Sequence, residues 1–556
     1  MGTLSAQYGV DTLLSPFVDS NWKNPSTSSK NPHLMYVDQA SLVYPTIYYT
    51  TPALWAKFRP TYAVLIGAVA NVAYQLLNNG QLPDPVMLKK DINDVINFER
   101  TIALANVQET NQKEQYNVYT YHQIIANTNW MKTVNFMDYF GQMAKIANPQ
   151  VLTMQYIKNN PIILTQPGYI TNMTQTLSTV SPRVIQNYLM WRVAVSHLQF
   201  LPEQPLSVRN AYAEFKREVK GGDYTAGLSP EDLCSYTVFE VMGYAASRVY
   251  IDAYWKAANP NTAGMLRTMV TNVLAAFYGQ VKKLSWMDAQ TKMKVKTKMN
   301  NLATNLVYPE WIVDDKLIDA YYSSLNQLNQ PVHRHGFGLV DFPATVNAWY
   351  QPEDNSINIL AGILNPPFFR HDFPISVNYG GIGSIIGHLL THGYDEGGVQ
   401  WNGTGFLQPW SDSNFKVGFK KMASCVIDEY NNFCYPNISE CINGVRTQVE
   451  NMADNGGIKS AWHAYKKVQS SKPEPRLPGA MGMFSQDQLF FISFAHVWCE
   501  NTPLENVKKQ LLIYPKHSLP RFRVQGTIQN VPELFGPAFN CPAGSPMTPK
   551  NHCNVW

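Results

Sequence analysis

The order of hydrophobic and polar positions divides the chain into two regions of different character. Over about residues 52–308, apolar side chains recur at helical spacing, as in residues 262–281. Breakers such as Asn259-Pro260 separate these stretches. Because strand-like alternation is scarce here, the pattern predicts a large all-helical N-terminal domain over residues 1–310.

The last part of the chain has a different pattern. Residues 311–344, which include a stretch rich in glycine, proline and aromatic residues, are the expected transition to a second domain over residues 345–556. The β-branched and aromatic residues over 345–350 predict an edge strand. Helices are expected at about 383–392 and 449–465. The predicted fold is therefore mainly α with a small mixed sheet, of the α+β class.

Composition and charge narrow the possible functions. With 45% hydrophobic and 15% charged residues, the chain is typical of globular proteins, which argues against a disordered or coiled-coil chain. The formal net charge is +4 over 556 residues, and there is no dense run of lysine and arginine. Nucleic acid and anionic membrane surfaces are therefore not expected as partners.

The N-terminal sequence shows no targeting signal. It lacks the basic and apolar segments of a signal peptide and the sixth-position Ser or Thr of a myristoylation site. The longest apolar run, residues 62–77, contains Asn71 and is shorter than the roughly 20 residues of a membrane-spanning helix. We therefore expect this run to be a buried core helix and expect no membrane segment in this chain.

Cysteines and glycosylation triplets indicate an oxidising compartment. The seven cysteines form no C-x-x-C pair, which favours disulfides over a metal cluster. Three N-glycosylation triplets begin at Asn172, Asn402 and Asn437, although such triplets also occur by chance. The protein is therefore expected outside the cell or at the cell surface, as a glycoprotein with disulfide bonds.

Two residue pairs are candidate metal ligands. His388 and His392 are four residues apart, so on a helix both imidazoles lie on one face and can reach one ion. Glu450 and Asp454 have the same spacing. A carboxylate can complete a zinc site of three protein ligands, and a second carboxylate can accept the free N–H of a ligating histidine. Considered alone, the pairs are better explained as ordinary histidines and a solvated helix face.

The sequence around these pairs resembles the neprilysin and endothelin-converting-enzyme family of zinc metallopeptidases. Residues 377–383 (VNYGGIG) and 392–395 (HGYD) are similar to the sequence on either side of that family's histidine pair. Residues 450–457 (ENMADNGG) match its E-N-x-A-D-N-G-G motif. Residues 347–350 (NAWY) and 361–369 (AGILNPPFF) resemble its substrate-aligning strand and the loop that follows.

The resemblance extends in order through nearly the whole chain. Further matching segments lie in both halves, at residues 284–291, 308–311, 494–499 and 541–556. The chain is therefore identified as a member of this family. The resemblance implies a two-lobed, zincin-type metallopeptidase in which a large helical domain accompanies a thermolysin-like catalytic domain.

The resemblance also implies roles for individual residues. One zinc ion would be held by His388, His392 and Glu450, with Asp454 as the supporting carboxylate and His517 as the stabiliser of the oxyanion. Residues matching the substrate-binding positions are Asn347, the backbone of Ala348, Arg523, and the apolar pocket residues Ile363, Phe368, Ile385, Val497 and Trp498. Ordinary core packing is an equally good explanation for the five apolar residues.

The chain departs from the family at one catalytic position. The family motif is H-E-x-x-H, and its glutamate accepts a proton from the attacking water. This chain has Leu389 there, within His388-Leu-Leu-Thr-His392, and a leucine cannot accept a proton. Loss of a general base typically costs about 10²- to 10⁴-fold in rate. Asp395 and Glu396 lie nearly two helical turns further on and are not expected to replace it.

Three functional hypotheses follow. The first is a pseudopeptidase that binds zinc and short peptides, or a protein partner, without cutting them. The second is a weakly active zinc endopeptidase that cleaves oligopeptides N-terminal to apolar residues. The third is a non-enzymatic interaction protein with a vestigial cleft.

The cysteines separate into three groups. The resemblance implies a disulfide between Cys425 and Cys553, and Cys434 and Cys441 flank a short loop that a local bridge can close. The remaining three match family positions whose partners precede the first residue of this chain; they are Cys234, Cys499 and Cys541. The family is usually membrane-anchored through that preceding part, so a truncated chain is the expected explanation.

Overall fold

The protein forms two compact units. One comprises Met1–Val241 with Ala320–Phe337, and the other comprises Met242–Asp319 with Gly338–Trp556. The domain bounds expected from the sequence, at residues 310 and 345, stay a prediction. The computed structural model describes residues 1–24, 32–107, 112–147, 152–198, 205–220, 230–323, 341–408, 410–436, 438, 440–513 and 516–556.

Helices make up most of the first unit. They are α1 (Gly2–Tyr8), α2 (Ile47–Thr50), α3 (Pro52–Leu77), α4 (Pro85–Ala105), α5 (Gln112–Gln115), α6 (Tyr121–Ala126), α7 (Thr128–Met131), α8 (Phe136–Ile146), α9 (Met154–Asn159), α10 (Pro167–Thr179), α11 (Pro182–His197), α12 (Leu206–Lys220) and α13 (Pro230–Val241). Side-chain caps stabilise several of them; Thr120 and Gln123 form a capping box at α6.

The first unit also contains a sheet, so the expectation of an all-helical domain is wrong. The sheet has the order β1-β2-β4-β3, with β2 and β4 parallel and the outer pairs antiparallel. Two strands have only three residues, and β4 is buried along its whole length. Such short strands show no alternation that a sequence pattern can detect. The strands are β1 (Ser15–Ser20), β2 (His33–Asp38), β3 (Asn117–Tyr119) and β4 (Ile162–Leu164).

The predicted core helix is only partly buried. In α3, Phe58, Tyr62 and Leu65 pack inside the unit, whereas Leu76 and Leu77 are exposed. Only 17% of its most apolar 18-residue window is buried, so the expectation of a buried helix is wrong. The apolar residues of this helix lie on all of its sides, but only those on one side pack against the rest of the unit. By length and composition, α3 is also long and apolar enough to cross a membrane.

The second unit is helical around a small sheet. Its helices are α14 (Gly243–Tyr250), α15 (Lys256–Ala258), α16 (Thr262–Lys283), α17 (Ala289–Asn300), α19 (Ile375–Asn378), α20 (Ser384–His392), α21 (Ser413–Tyr430), α22 (Gly444–Ser471), α23 (Gln486–His496), α24 (Leu504–Ile513), α25 (Pro520–Gln529) and α26 (Pro532–Phe539). Helix α18 (Asp315–Tyr322) begins in this unit, and its last three residues belong to the first unit. Single turns of 3₁₀ or π helix lie at Ile251–Trp255, Glu310–Val313, Ala361–Ile363, Tyr379–Gly383, Gly398–Gln400 and Gly479–Met483.

Three strands form the sheet of the second unit. They are β5 (Ala303–Val307), β6 (Ala348–Gln351) and β7 (Ser356–Leu360). The order is β5-β7-β6, with β5 parallel and β6 antiparallel to β7. β6 is therefore an edge strand, as the sequence predicts, and the mainly α fold with small mixed sheets is confirmed.

Two glycines let helices α20 and α22 cross at backbone contact. A Cβ atom at Gly387 would lie 2.5 Å from the carbonyl oxygen of Gly457, and one at Gly457 would lie 2.6 Å from the backbone nitrogen of His388. Any larger residue at either position would push the helices apart. Around the crossing, Ile386, Leu390 and Ile458 are fully or almost fully buried in one hydrophobic cluster.

Two disulfides staple the second unit. Cys425 of α21 is bonded to Cys553 near the C-terminus, and Cys434 is bonded to Cys441, so the structure contains both bridges expected from the sequence. The other three cysteines, Cys234, Cys499 and Cys541, carry free thiols.

Replacing Gly387 by alanine is expected to lower the free energy of unfolding by about 1–3 kcal/mol, because the new methyl group overlaps the backbone of α22. Urea denaturation measures the change. Gly279→Ala in α16 is the control, since a Cβ there meets nothing within 4 Å. The control should stabilise the protein by about 0.5–1 kcal/mol. Equal stability of Gly387→Ala and the parent would contradict the close crossing.

Removing the Cys425–Cys553 bridge, as the double alanine variant, is expected to cost about 3–5 kcal/mol. The bridge closes a long loop, with a sequence separation of 128, and so restricts the unfolded chain strongly. The double alanine variant at Cys434 and Cys441 is the control, because its separation is only 7 and its expected cost is about 2 kcal/mol. Thermal unfolding that ranks the two variants in the opposite order would refute this.

Candidate metal centre

Helix α20 brings the two histidines together. His388 and His392 lie one turn apart on the same face, and their Nε2 atoms are 2.9 Å from each other. His388 is buried and His392 is nearly so. The sequence places them there because an α-helix repeats its faces every three to four residues. The two ring nitrogens therefore point at one common position.

Helix α22 supplies a carboxylate at that position. Glu450 Oε2 lies 3.4 Å from His388 Nε2, and Glu450 Oε1 lies 3.8 Å from His392 Nε2. The three potential ligand atoms all lie within 4.8 Å of one another. The structure thus brings together the three residues that the sequence predicted as ligands.

A buried carboxylate orients each histidine ring. Asp454 Oδ1 lies 2.8 Å from His388 Nδ1, and Asp395 Oδ2 lies 2.6 Å from His392 Nδ1. Both carboxylates accept the Nδ1–H proton, which leaves each Nε2 lone pair directed at the common position. Sequence reasoning assigned this role to Asp454 but missed Asp395. The His392-x-x-Asp395 spacing, which places a carboxylate three residues after the ligand at the end of the helix, was the available signal.

These residues fit a divalent cation. Two neutral Nε2 lone pairs facing each other at 2.9 Å repel unless a proton or a metal lies between them. Glu450 Oε2 is buried and has no hydrogen-bond partner among the described residues, although His517 Nε2 lies 3.1 Å away. In a tetrahedral zinc site, ligand nitrogens lie about 3.3 Å apart, so a small opening of the histidine pair accommodates the ion. Two histidines and a glutamate are a common ligand set of catalytic zinc.

The charged groups around the two histidines favour a positive charge between them. Burial alone would lower the pKa of His392, but the carboxylates of Glu450 and Asp395 outweigh it and raise the pKa to about 9. Burial would likewise raise the pKa of Glu450, but His392, His388 and His517 hold it well below its usual range. At neutral pH the site therefore holds a proton where a metal can bind.

Asp454 connects the centre to the predicted substrate-binding arginine. Arg523 donates to both oxygens of Asp454, from Nε at 2.6 Å and from Nη2 at 2.7 Å. Its guanidinium also lies 3.9 Å from the ring centroid of Trp498. Burial alone would raise the pKa of Asp454, but Arg523 and the bond from His388 lower it. The carboxylate therefore stays ionised and holds His388.

His517, the predicted oxyanion stabiliser, lies at the rim of the centre. Its side chain is 57% exposed, and its Nε2 approaches Glu450 Oε2 at 3.1 Å. The adjacent Ser518 is buried and donates a hydrogen bond of 2.7 Å to Asn451 Oδ1, next to Glu450 on α22. Ser518 thereby anchors the segment that presents His517.

Leu389 stands where the sequence resemblance places the family's general base. It is 2% exposed and belongs to the hydrophobic cluster that also contains Ile385, Ile386 and Phe490. Of the two acidic residues beyond the helix, Asp395 lies on the Nδ1 side of His392 and Glu396 is exposed. Neither therefore faces the common position of the Nε2 atoms.

Strand β6 has the geometry to accept an added strand. Leu360 N–H donates to the carbonyl of Asn347, so residue 347 directs its backbone at β7. By alternation, Ala348 directs its backbone at the open edge. The Asn347 side chain caps the Ala348 N–H at 2.8 Å and donates to Asp341. The backbone carbonyl of Ala348 is left facing the edge.

The predicted pocket residues occupy different environments. Ile363 and Ile385 are buried in the hydrophobic cluster around the helix crossing, and Phe368 and Trp498 pack against it while partly exposed. Val497 is half-buried at the end of α23. Their role in substrate binding stays a prediction.

The predicted glycosylation sites are spread over both units. Asn172 is exposed on α10, and Asn402 is half-buried, with its Oδ1 accepting from Thr404 and Phe406. Asn437 lies outside the described residues. Modification of these residues stays a prediction.

Two histidines on one helix and a glutamate on a second helix form the ligand arrangement of the zincin class of metallopeptidases. Residues 1–309 and 347–555 match two family models, both described as Peptidase family M13. The chain belongs to this family of zinc metallopeptidases, which includes neprilysin and the endothelin-converting enzymes.

Relatives match along the whole chain. Neprilysin-11 of Caenorhabditis elegans is 30% identical over 99% of this chain and 65% of its own length. Endothelin-converting enzyme 1 of Rattus norvegicus is 28% identical over 100% of this chain and 71% of its own length. The chain therefore spans just under two thirds of the length of Neprilysin-11 and just over two thirds of the length of the rat enzyme.

Solved structures share the fold. Zinc metalloprotease ZMP1 of Mycobacterium tuberculosis, solved with an inhibitor, has a TM-score of 0.81 at 22% identity, covering 100% of this chain and 82% of that chain. PEPO from Lactobacillus rhamnosis has a TM-score of 0.76 at 20% identity, covering 99% and 82%. These matches agree with the predicted metallopeptidase fold.

Zinc affinity is expected to rise about tenfold per pH unit from about pH 7 to about pH 9. In the metal-free protein, His392 keeps its proton until the pH passes its pKa of about 9, and a bound ion must displace that proton. Competition titrations against a chelator of known pH dependence measure the slope. In Asp395→Asn, zinc affinity should stop rising at a lower pH, since Asp395 helps to raise the pKa of His392. A flat profile would show that no proton is displaced.

Proposed function

We propose that this protein is a pseudopeptidase, which binds one zinc ion and extended peptides in a neprilysin-like cleft and does not cleave them at a useful rate. The observation that carries the proposal is Leu389, a buried leucine at the position of the catalytic glutamate. The ligands His388, His392 and Glu450 and both supporting carboxylates are retained around it.

The chemistry of the site supports loss of catalysis rather than loss of metal. When bound, zinc supplies a Lewis acid that polarises a carbonyl and makes water more acidic. Hydrolysis also requires a proton acceptor within about 2.6–3.2 Å of the attacking water. Asp395 is engaged by His392 Nδ1 and Gly398 N–H, and Glu396 is exposed, so neither can serve. Leu389 itself offers only methyl groups.

The edge strand supports binding of extended peptides. A peptide can add to β6 through the backbone carbonyl of Ala348, with Asn347 at the start of the strand. His517 and Arg523 are the polar groups closest to Glu450 and Asp454 and would face the peptide carbonyl. Ile363, Phe368, Ile385, Val497 and Trp498 would line a pocket for a large apolar side chain.

The same proposal includes a location outside the cell. Two disulfides and three glycosylation triplets suit an oxidising compartment. A relative from Mus musculus is named "Membrane metallo-endopeptidase-like 1". A short peptide or the surface of a protein partner is the proposed ligand.

Leu389→Glu is expected to increase cleavage of an apolar fluorogenic peptide by at least about 10²-fold, because it supplies the single proton acceptor that the site lacks. The zinc-loaded parent and variant are compared with and without a chelator. Leu389→Gln is the matched control: it has the size and polarity of glutamate but cannot accept the proton, and it should stay inactive.

The outcomes separate the three hypotheses. Strong, chelator-sensitive cleavage by the parent would favour the weak endopeptidase and refute the pseudopeptidase. A parent that binds neither zinc nor peptide would favour an interaction protein with a vestigial cleft. A folded, zinc-loaded Leu389→Glu without activity would show that the cleft has lost more than its base.

A further inference from the structure

A short loop after the zinc helix controls the orientation of one ligand. Residues 393–401 follow His392, and Asp395 of this loop accepts the Nδ1–H proton of His392. Asp395 is buried, and its second oxygen accepts from Gly398 N–H at 2.8 Å. The loop path therefore fixes where this carboxylate meets the ring.

A buried lysine from another helix holds this loop. Lys298 of α17 is 2% exposed, and its Nζ donates to the carbonyls of Gly393 at 2.7 Å, Gly398 at 2.8 Å and Trp401 at 2.8 Å. An ammonium group has three protons, so the three carbonyls satisfy it completely. No carboxylate among the described residues forms an ion pair with Lys298.

Three aromatic rings surround the Lys298 ammonium group. The Nζ atom lies 5.5 Å from the ring centroid of Tyr394, 5.7 Å from that of Tyr350 and 5.8 Å from that of Trp410. Burial lowers the pKa of Lys298 to about 7, against the opposing charge of Asp395. Burying this charge is costly, so a lysine here requires an explanation.

The segment just beyond the loop is packed closely against α17, and the loop itself turns back closely on the end of α20. A Cβ atom at Gly403 would lie 2.8 Å from Lys298 Cα, and one at Gly398 would lie 2.0 Å from the carbonyl oxygen of His392. Asn355 Nδ2 donates to the carbonyls of both Lys298 and Gly403, at 2.9 Å and 3.2 Å.

We propose that Lys298 is a positioning residue for the metal centre: by gathering three carbonyls of the loop over residues 393–401, it holds Asp395 against His392 and so sets the direction of the ligand's lone pair. The inference rests on the proposed zinc binding. Lys298 donates to the backbone of the loop and not to the side chains of the proposed ligands, so it acts through the loop.

The test is the zinc affinity of Lys298→Met, which keeps the length of the side chain and removes its charge and donors. We expect zinc to bind on the order of tenfold more weakly, as for loss of other groups that orient ligands. Lys296→Met is the matched control, because Lys296 is exposed on the same helix, and its affinity should be unchanged. A competing fluorescent chelator reports the affinity at fixed pH.

A double-mutant cycle distinguishes positioning from general stabilisation. If Lys298 acts through Asp395, the loss of zinc affinity in Lys298→Met with Asp395→Asn is smaller than the product of the two single losses. A purely structural role predicts lower thermal stability with unchanged zinc affinity, which would overturn the proposal.

Two further measurements keep the outcome decisive. If Lys298→Met does not fold, Lys298→Arg takes its place, since a guanidinium directs its donors as a fork and cannot bring three carbonyls to one point. Parent-like affinity in the folded variant, or failure of both variants to fold, rejects positioning.

If the parent protein binds no zinc, the proposed zinc binding is refuted, but the positioning role of Lys298 can still be tested. The test is then the downfield Nδ1–H resonance of His392 in the metal-free protein. Loss of this resonance in Lys298→Met supports positioning, and its persistence rejects positioning.

Discussion

The close crossing of α20 and α22 is the constraint on which the centre depends. His388 and His392 belong to one helix and Glu450 and Asp454 to the other, so these side chains meet only if the backbones of the two helices come into contact. Gly387 and Gly457 permit this approach because neither places a Cβ atom between the helices. The remaining packing keeps that contact in place; the buried residues of one hydrophobic cluster surround it on both helices.

Outward from the crossing, charges of opposite sign alternate. The common position suits a cation, and the histidines around it are each bonded to a carboxylate, Asp454 or Asp395. Arg523 then balances Asp454 directly, whereas Lys298 lies beyond Asp395 and is bound by carbonyls. A buried group can stay charged when it is paired or fully hydrogen-bonded. Arg523 and Lys298 therefore stabilise the two carboxylates, and the carboxylates stabilise the two histidines.

The sequence could predict the candidate ligands because helical spacing and the family resemblance both identify the same three side chains. The edge strand β6 was predicted from its β-branched and aromatic residues, and the helical content from the spacing of apolar residues. The four-stranded sheet of the first unit was missed because strands as short as Ile162–Leu164 show no alternation. The exposure of α3 was missed because apolar composition does not tell which side finds a partner. Lys298 could not be predicted, since its partners are backbone carbonyls, which have no sequence signature.

The replacement of glutamate by leucine is compatible with this architecture for a physical reason. The groups around the metal position have their partners on α20, α22 and α25 and in the loop after α20, and none of these hydrogen bonds involves the side chain of residue 389. Leu389 is buried in the apolar cluster, where a leucine packs without cost and a glutamate would require a polar partner. Under the proposed function, catalysis would depend on that one side chain, whereas the fold and the arrangement of His388, His392 and Glu450 would not. The proposed loss of the base is therefore compatible with a structurally complete metal-binding arrangement.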